Sequence, residues 1–168
     1  MKNNELLTLY DGMKLPGQNP HCDGCSILNK NKPVHSYLDY EDLPECDVLF
    51  LSDSFRFRLG KAVAFSEKEK EVILQHFPHR AVFAASVKCP SVKEADMSPA
   101  NMKLCRKHLD DTIEKVKPKL VFTCGNLAMK MLIKKSGITD KRGKSFSYTS
   151  EEGHFCIVVP IFHPYSVI

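Results

Sequence analysis

The chain has 168 residues, 26% of them charged, and a formal net charge of +4, which suits one globular domain and excludes a disordered chain. No apolar run approaches the roughly 18 residues of a membrane span, and MKNNELLTLY lacks a signal-peptide pattern. We therefore expect one cytoplasmic domain over residues 1–168, with no membrane partner, whose mild basic excess permits a nucleic-acid partner without demanding one.

The first 46 residues are rich in Gly and Pro and predict an irregular segment. Apolar runs at 47–52, 80–87, 119–124 and 155–162 then predict buried strands. Helical patterns separate them at 66–77, 98–117 and near 126–135. Ser66 and Glu69 form a capping box for the first helix, and Ser98 can cap the second. Apolar strands separated by helices predict a three-layer α/β/α fold around a central, mostly parallel four-stranded sheet. Ligands of such folds bind at the carboxyl ends of the strands.

Seven cysteines are too many to ignore in a reducing compartment, and an odd number argues against a full disulfide framework. Three lie in or beside apolar strands and are expected in the core: Cys46, Cys124 and Cys156. The other four lie in a turn, after a strand and early in a helix: Cys22, Cys25, Cys89 and Cys105. If the fold brings these four together, they could bind zinc or an iron–sulfur cluster, and spacing alone leaves both open.

The order of the motifs adds a resemblance. A Cys-x-x-Cys precedes the first strand, VLFL is followed by a carboxylate, and VKC, KPKLVFTCGNLA and IFHP come later. This order resembles the iron–sulfur (family 4) uracil-DNA glycosylases over about residues 20–168. The resemblance implies a [4Fe-4S] cluster that pins the N-terminal segment to the sheet, held by Cys22, Cys25, Cys89 and Cys105. It also implies a repair enzyme that hydrolyses the N-glycosidic bond of uracil in DNA.

The same resemblance assigns roles in the site. His163 matches the histidine that stabilises the departing uracil anion, and Asp53 falls where the family carries a glutamate that positions water or stabilises the sugar cation. Phe65 matches the aromatic that stacks on the extruded base, and Ala85 and Asn126 fall at two further base-binding positions. The alternatives are structural: Asp53 and Asn126 as caps, and His163 and Phe65 as capping or core side chains.

A further set is expected to contact DNA: Arg56, Arg58, Lys88, Arg142, Pro164 and Val167. Arg56 and Arg58 are expected in the first loop of the active site. The alternative for the basic residues is an ordinary solvated surface. If they contact phosphates, affinity for DNA should fall steeply with salt.

Three departures from the family keep a second interpretation open. The first loop reads SDSFRFRLG rather than a Gly/Pro-rich stretch, Ala85 stands at the position of a base-reading Asn, and the terminal helix is missing after HPYSVI. The second interpretation is a catalytically degenerate module for DNA binding or protein docking. It would be part of a larger replication protein, such as the N-terminal module of a phage DNA polymerase in the host cytoplasm.

Overall fold

The computed structural model of the chain describes residues 24–29, 43–58 and 61–166. Within those ranges the strands are β1 (Val48–Arg58), β2 (Lys61–Val63), β3 (Val82–Pro90), β4 (Leu120–Cys124), β5 (Phe146–Thr149) and β6 (Phe155–Ile161). The α-helices are α1 (Ser26–Asn29), α2 (Glu67–His76), α3 (Pro99–Val116), α4 (Asn126–Ile133) and α5 (Ile138–Lys141). Short 3-10 helices lie at Glu94–Asp96 and Pro164–Ser166.

The central sheet has the strand order β3-β1-β4-β6-β5. The first four of these strands run parallel to their neighbours, and β5 pairs antiparallel with β6. The parallel strands are the four that the apolar runs predict, so the α/β fold class is confirmed. The fifth strand was not predicted, because the residues of β5 alternate between half-buried and exposed instead of forming an apolar run.

The two faces of the sheet carry separate cores. On one face Leu49 and Leu51 pack with the apolar stripes of α3 and α4, which include Ile113 and Leu127. On the other face, Phe50 stacks between Phe83 and Phe122 of the neighbouring strands, and Ile73 of α2 belongs to the same cluster. Successive side chains of a strand point to opposite faces, so the helices lie on both sides of the sheet, in three layers.

Polar side chains begin the predicted helices as expected. Ser66 and Glu69 form a capping box at the start of α2, and the Ser98 side chain accepts the Asn101 N–H at the start of α3. The structure describes only part of the segment expected to be irregular, and residues 26–29 of it form α1. No helix in the described parts of the chain has the length and apolar character of a membrane span.

Strand β1 is longer than expected. Its parallel pairing with β4 ends at Ser52, but the chain continues as a strand to Arg58 and pairs antiparallel with β2. The expectation that Arg56 and Arg58 lie in a loop was therefore wrong. The physical reason is the Phe-Arg-Phe-Arg alternation, a period-two pattern whose first member, Phe55, is 1% exposed.

Candidate functional site

Asp53 lies in β1 one residue beyond the last β1–β4 pair, at the carboxyl end of β4. Its Oδ1 accepts the Ala128 N–H at 2.8 Å, so the carboxylate caps the N-terminus of α4 from a distant strand. Gly125 makes this close approach possible: a Cβ there would lie 2.5 Å from Oδ1, and its φ of +115° disfavours other residues. The Ser86 hydroxyl donates to the Asp53 carbonyl oxygen at 2.7 Å and fixes the backbone.

Burial raises the pKa of Asp53 to about 6, because little water reaches the carboxylate to solvate its charge. The negative charge of Glu94 acts in the same direction, while the N–H groups of Ala128 and Leu127 at the helix terminus oppose it. A carboxyl group with this pKa is ionised at pH 7 and still basic enough to accept a proton from a bound water molecule.

His163 follows β6 and is 5% exposed. Its ring stacks on Phe65 with centroids 5.3 Å apart and packs against Tyr165 at 4.4 Å. Burial lowers the pKa of His163 to about 4, so the ring is neutral at pH 7. The backbone N–H of Tyr165 points at Nδ1 at 3.4 Å, a contact that Nδ1 accepts in the tautomer with the ring proton on Nε2.

An ion pair lies beside this histidine. Nη2 of Arg56 donates to both carboxylate oxygens of Glu69, at 2.6 and 2.8 Å, and the Glu69 side chain is only 4% exposed. Burial alone would raise the pKa of Glu69, but the bonds from Arg56 and from the Ser66 N–H outweigh it, so the pKa falls below its ordinary value. Glu69 Oε1 lies 3.8 Å from Nδ1 of His163, which brings a fixed negative charge next to the ring.

A pocket of about 470 Å³ joins these groups, and we call it the acid–histidine pocket. Its lining residues are Ser52, Asp53, Ser54, Arg56, Ser91, Val92, Lys93, Glu94, His163 and Tyr165. The volume falls within the range of pockets that hold small ligands. The structure thus brings together Asp53 and His163, the two residues expected to carry the chemistry.

The structure places the three residues expected to bind the base in three different environments. Phe65 is 1% exposed and has His163 on its face, so a base could stack on it only if His163 moved. Ala85 is fully buried in the core behind the pocket. Asn126 is the first residue of α4 rather than its cap, because Asp53 fills that role. Its amide instead donates to Glu94 at 2.7 Å and accepts the Gly137 N–H at 3.1 Å.

Three of the four singled-out cysteines, Cys25, Cys89 and Cys105, line a second, small pocket of about 20 Å³, which we call the cysteine pocket. The fourth, Cys22, lies outside the described residues. Among the residues that are described, no three His, Cys, Asp or Glu side chains are grouped as a metal site. The set of thiols nevertheless fits an iron–sulfur cluster chemically, since such clusters are held by cysteine sulfur and only two residues separate Cys22 from Cys25 in sequence.

The neighbourhood of the cysteine pocket is preformed by α1 and α3. Ser26 and Asn101 exchange hydrogen bonds of 3.1 and 2.7 Å, and Asn101 is 2% exposed. Burial raises the pKa of the Cys105 thiol to about 11, so this thiol is neutral at pH 7 unless a metal ion displaces its proton. Of the cysteines expected in the core, Cys124 and Cys156 are fully buried and Cys46 is half-buried.

The residues expected to contact DNA divide into three groups. Arg142 is exposed and lies over the ring of Phe162, whereas Arg56 lines the acid–histidine pocket. Lys88 differs from the expectation of a surface contact: it is 4% exposed, and its Nζ donates to the Ala85 carbonyl oxygen at 2.9 Å, inside the protein. Pro164 is also buried, in a 3-10 turn. The Arg58 side chain and Val167 lie outside what the structure describes.

Sequence reasoning missed three residues of the acid–histidine pocket and its wall: Glu69, Glu94 and Tyr165. Glu69 was identified only as a member of a capping box, a role it does fill through the Ser66 N–H. The signal for Tyr165 was an aromatic two residues after His163. No local sequence pattern marks Glu94 as a site residue, because the loop after β3 brings it near Asp53 only in the folded chain.

Comparison with known proteins agrees with this geometry. The family model described as "Uracil DNA glycosylase superfamily" matches residues 50–168. The chain is also 32% identical over 83 residues to a type-4 uracil-DNA glycosylase of Sulfurisphaera tokodaii, covering 46% of this chain and 37% of that relative. It thus spans less than half the length of this curated relative. Because the family model covers well over half of the sequence, the chain belongs to the uracil DNA glycosylase superfamily.

Proposed function

We propose that the chain binds DNA and removes uracil from it by hydrolysing the N-glycosidic bond. The observation that carries this proposal is the meeting of Asp53 and His163 in one pocket at the carboxyl edge of the sheet. A base reaches such a pocket only after leaving the DNA stack. The similarity to a type-4 uracil-DNA glycosylase supports uracil as the base.

Two charges develop when the bond breaks, and the pocket has a group for each. Both electrons of the C1′–N1 bond leave with the base, and the Nε2–H of the neutral His163 donates to the base oxygen on which negative charge accumulates. The ionised Asp53 stabilises the cation-like sugar and orients a water molecule. As this water bonds to C1′, its proton passes to Asp53, and the released base takes a proton from solvent.

The proposal includes a [4Fe-4S] cluster on Cys22, Cys25, Cys89 and Cys105. Its support is the chemistry of the thiols at the cysteine pocket, together with the similarity to a type-4 enzyme. When bound, such a cluster cross-links the chain and so contributes folding free energy. Reduced thiols suit the cytoplasm, where we place the activity.

A second candidate function is a degenerate glycosylase fold that binds DNA, or docks on a replication protein, without catalysis. Two observations favour it: Ala85 offers no polar group to read a base edge, and His163 covers Phe65. A site without a polar partner for the base edge loses much of its discrimination.

The decisive experiment is an excision assay on an oligonucleotide with one uracil, with abasic sites counted after alkaline cleavage. We expect excision by the wild-type chain and a loss of about 10²–10³-fold in His163→Ala, because the donor to the leaving base is removed. His76→Ala is the matched control, since His76 is exposed on α2 and should leave the rate unchanged. Salt-sensitive DNA binding without excision would instead select the second candidate.

A further inference from the structure

Arg56 places a permanent positive charge in the acid–histidine pocket. It lines the pocket together with Asp53 and His163, and a guanidinium is not deprotonated in proteins. His163, by contrast, is neutral at pH 7 because burial lowers its pKa to about 4. The histidine therefore offers a departing anion a hydrogen bond, whereas Arg56 offers both a hydrogen bond and a charge.

The guanidinium of Arg56 is held by two neighbours. Its Nη2 donates to both carboxylate oxygens of Glu69, at 2.6 and 2.8 Å, and its carbon lies 5.6 Å from the centroid of the Tyr165 ring. Only 26% of the Arg56 side chain is exposed. A donor that is fixed in this way needs no reorganisation when negative charge develops beside it, and such preorganised donors stabilise transition states most strongly.

Two of the three guanidinium nitrogens keep donors for a ligand. Within the described ranges Nη2 makes all the hydrogen bonds of this side chain, so Nη1 and Nε have no acceptor there, and Nε is buried. Buried donors in proteins are nearly always bonded, so this one indicates an acceptor that the chain itself does not supply. A carbonyl oxygen of a base in the pocket would be such an acceptor.

The backbone around Arg56 is fixed on both sides. Arg56 pairs with Val63 of β2, and the carbonyl oxygen of Phe55 accepts the Ser91 N–H at 2.7 Å. The β1–β3 register shifts between Ser54 and Phe55, and irregularities of this kind re-aim side chains next to active sites. The extension of β1 thus holds the arginine at the pocket.

The other charges at the pocket make a shielded cation useful there. The carboxylates of Asp53 and Glu94 lie at the pocket wall and would repel a departing anion. Lys93 also lines the pocket, but it is exposed, so water and salt screen its charge. Arg56 is shielded enough from water to offset the repulsion.

We propose that Arg56 is a catalytic residue, which donates through its guanidinium to a carbonyl oxygen of the departing base and so stabilises the base anion together with His163. The electrons of the C1′–N1 bond leave with the base, Arg56 keeps its protons, and the released base is protonated by solvent. The inference rests on the proposed function, since it assigns a further residue to the same reaction. It gives Arg56 the base as its partner instead of the DNA phosphates expected from sequence.

The test compares two leaving groups. Fluorine at C5 withdraws electrons, so the anion of 5-fluorouracil needs less stabilisation by the protein than the anion of uracil. Single-turnover rates are measured on oligonucleotides that differ only in carrying one uracil or one 5-fluorouracil. In Arg56→Gln we expect a rate on uracil that is about 10- to 100-fold lower, a smaller loss on 5-fluorouracil, and nearly unchanged affinity for the substrate. A purely structural defect would lower both rates by the same factor.

Further variants separate charge from folding. Arg56→Lys keeps the positive charge and should recover part of the lost rate. The double variant Arg56→Gln with Glu69→Gln leaves no buried carboxylate without its partner, and it should show the same preference for 5-fluorouracil. Arg80→Gln is the matched control, since Arg80 is exposed before the amino end of β3, and it should leave both rates unchanged. Equal losses on the two bases in both Arg56→Gln chains would overturn the inference.

A binding measurement distinguishes the failure of this inference from the failure of the proposed function. The nitro group of 5-nitrouracil stabilises its anion, whose near-ultraviolet absorption reports binding without any excision. We expect the wild-type chain to bind this anion about 10-fold more tightly than Arg56→Gln does. Equal or undetectable binding by both chains would overturn the role of Arg56, and excision of uracil by the wild-type chain would then still stand. Binding that depends on Arg56 without any excision would support the role of Arg56 and disprove the activity.

Discussion

The cysteine pocket and the acid–histidine pocket are organised in opposite ways. The first is small and largely apolar, and its reactive groups are thiols spaced along the sequence at positions 25, 89 and 105. The second is larger and is lined mostly by polar and charged residue types, and its residues are oriented by contacts between distant segments, such as Asp53 with Ala128. A motif can therefore identify the first pocket, whereas the second depends on charges that only the folded chain brings together.

Cys105→Ala should have the largest effect, because it removes one proposed cluster ligand. We expect bound iron to fall from about four atoms per chain toward zero, and absorption at about 400 nm to be lost. The midpoint of thermal unfolding should also be lower. Cys156→Ala is the control, since Cys156 is a fully buried core thiol and should leave the iron content unchanged. An intact cluster in Cys105→Ala would remove Cys105 from the ligand set.

Asp53→Asn tests the acid–histidine pocket at the carboxyl group whose pKa burial raises. Asparagine keeps an oxygen for the Ala128 N–H but cannot take a proton from water, so excision should fall by about 10²–10³-fold. The wild-type rate should rise as the pH passes about 6, where Asp53 ionises. A variant as active as the wild-type chain would show that Asp53 is only a helix cap.

The same variant has a stability signature. The pKa of Asp53 is raised from 3.8 to about 6, so the folded state holds this proton more tightly than the unfolded state. Wild-type stability should therefore fall as the pH rises from about 4 to 6, by about 3 kcal/mol in total. In Asp53→Asn this decrease should be absent from denaturant unfolding curves at pH 4.5 and 7.5.

Glu69→Gln should have a smaller effect on the same pocket. It removes the charge that holds Arg56, at a cost of about 1–3 kcal/mol in the free energy of unfolding. The negative charge of Glu69 raises the pKa of His163, so that pKa should fall further in the variant, as measured by NMR titration. Glu67→Gln, at an exposed neighbour on α2, should change neither quantity by a comparable amount.

Asn101→Ala should have the smallest effect and returns to the cysteine pocket. The loss of its two hydrogen bonds to Ser26 should cost about 1–2 kcal/mol and loosen α1 before the cluster is bound. We expect slower iron incorporation with normal final iron content. If incorporation were unchanged, α1 would not be preformed by this contact.

The sequence by itself was sufficient for the regular parts of the fold. Apolar runs specified the four parallel strands, and Ser66 and Ser98 marked the starts of α2 and α3, because hydrophobic periodicity and helix capping are patterns of a few neighbouring residues. It failed for β5, whose exposed edge residues carry no apolar run. It also failed for residues 53–58, which were expected to form a loop although their sequence has the period-two pattern of a strand.

For the site, the sequence determined which residue types were available and the tertiary structure decided what each does. Asp53 and His163 could be identified from motifs, but their pKa values depend on burial and on charges distant in sequence. These are Glu94 for Asp53, and Glu69 and Arg56 for His163. Phe65 and Lys88 are of the aromatic and basic types that bind DNA, yet both are buried. The fold stacks His163 on the Phe65 ring and turns the Lys88 ammonium group inward to the Ala85 carbonyl oxygen. Burial and long-range electrostatics depend on all segments at once, so no local pattern can fix them.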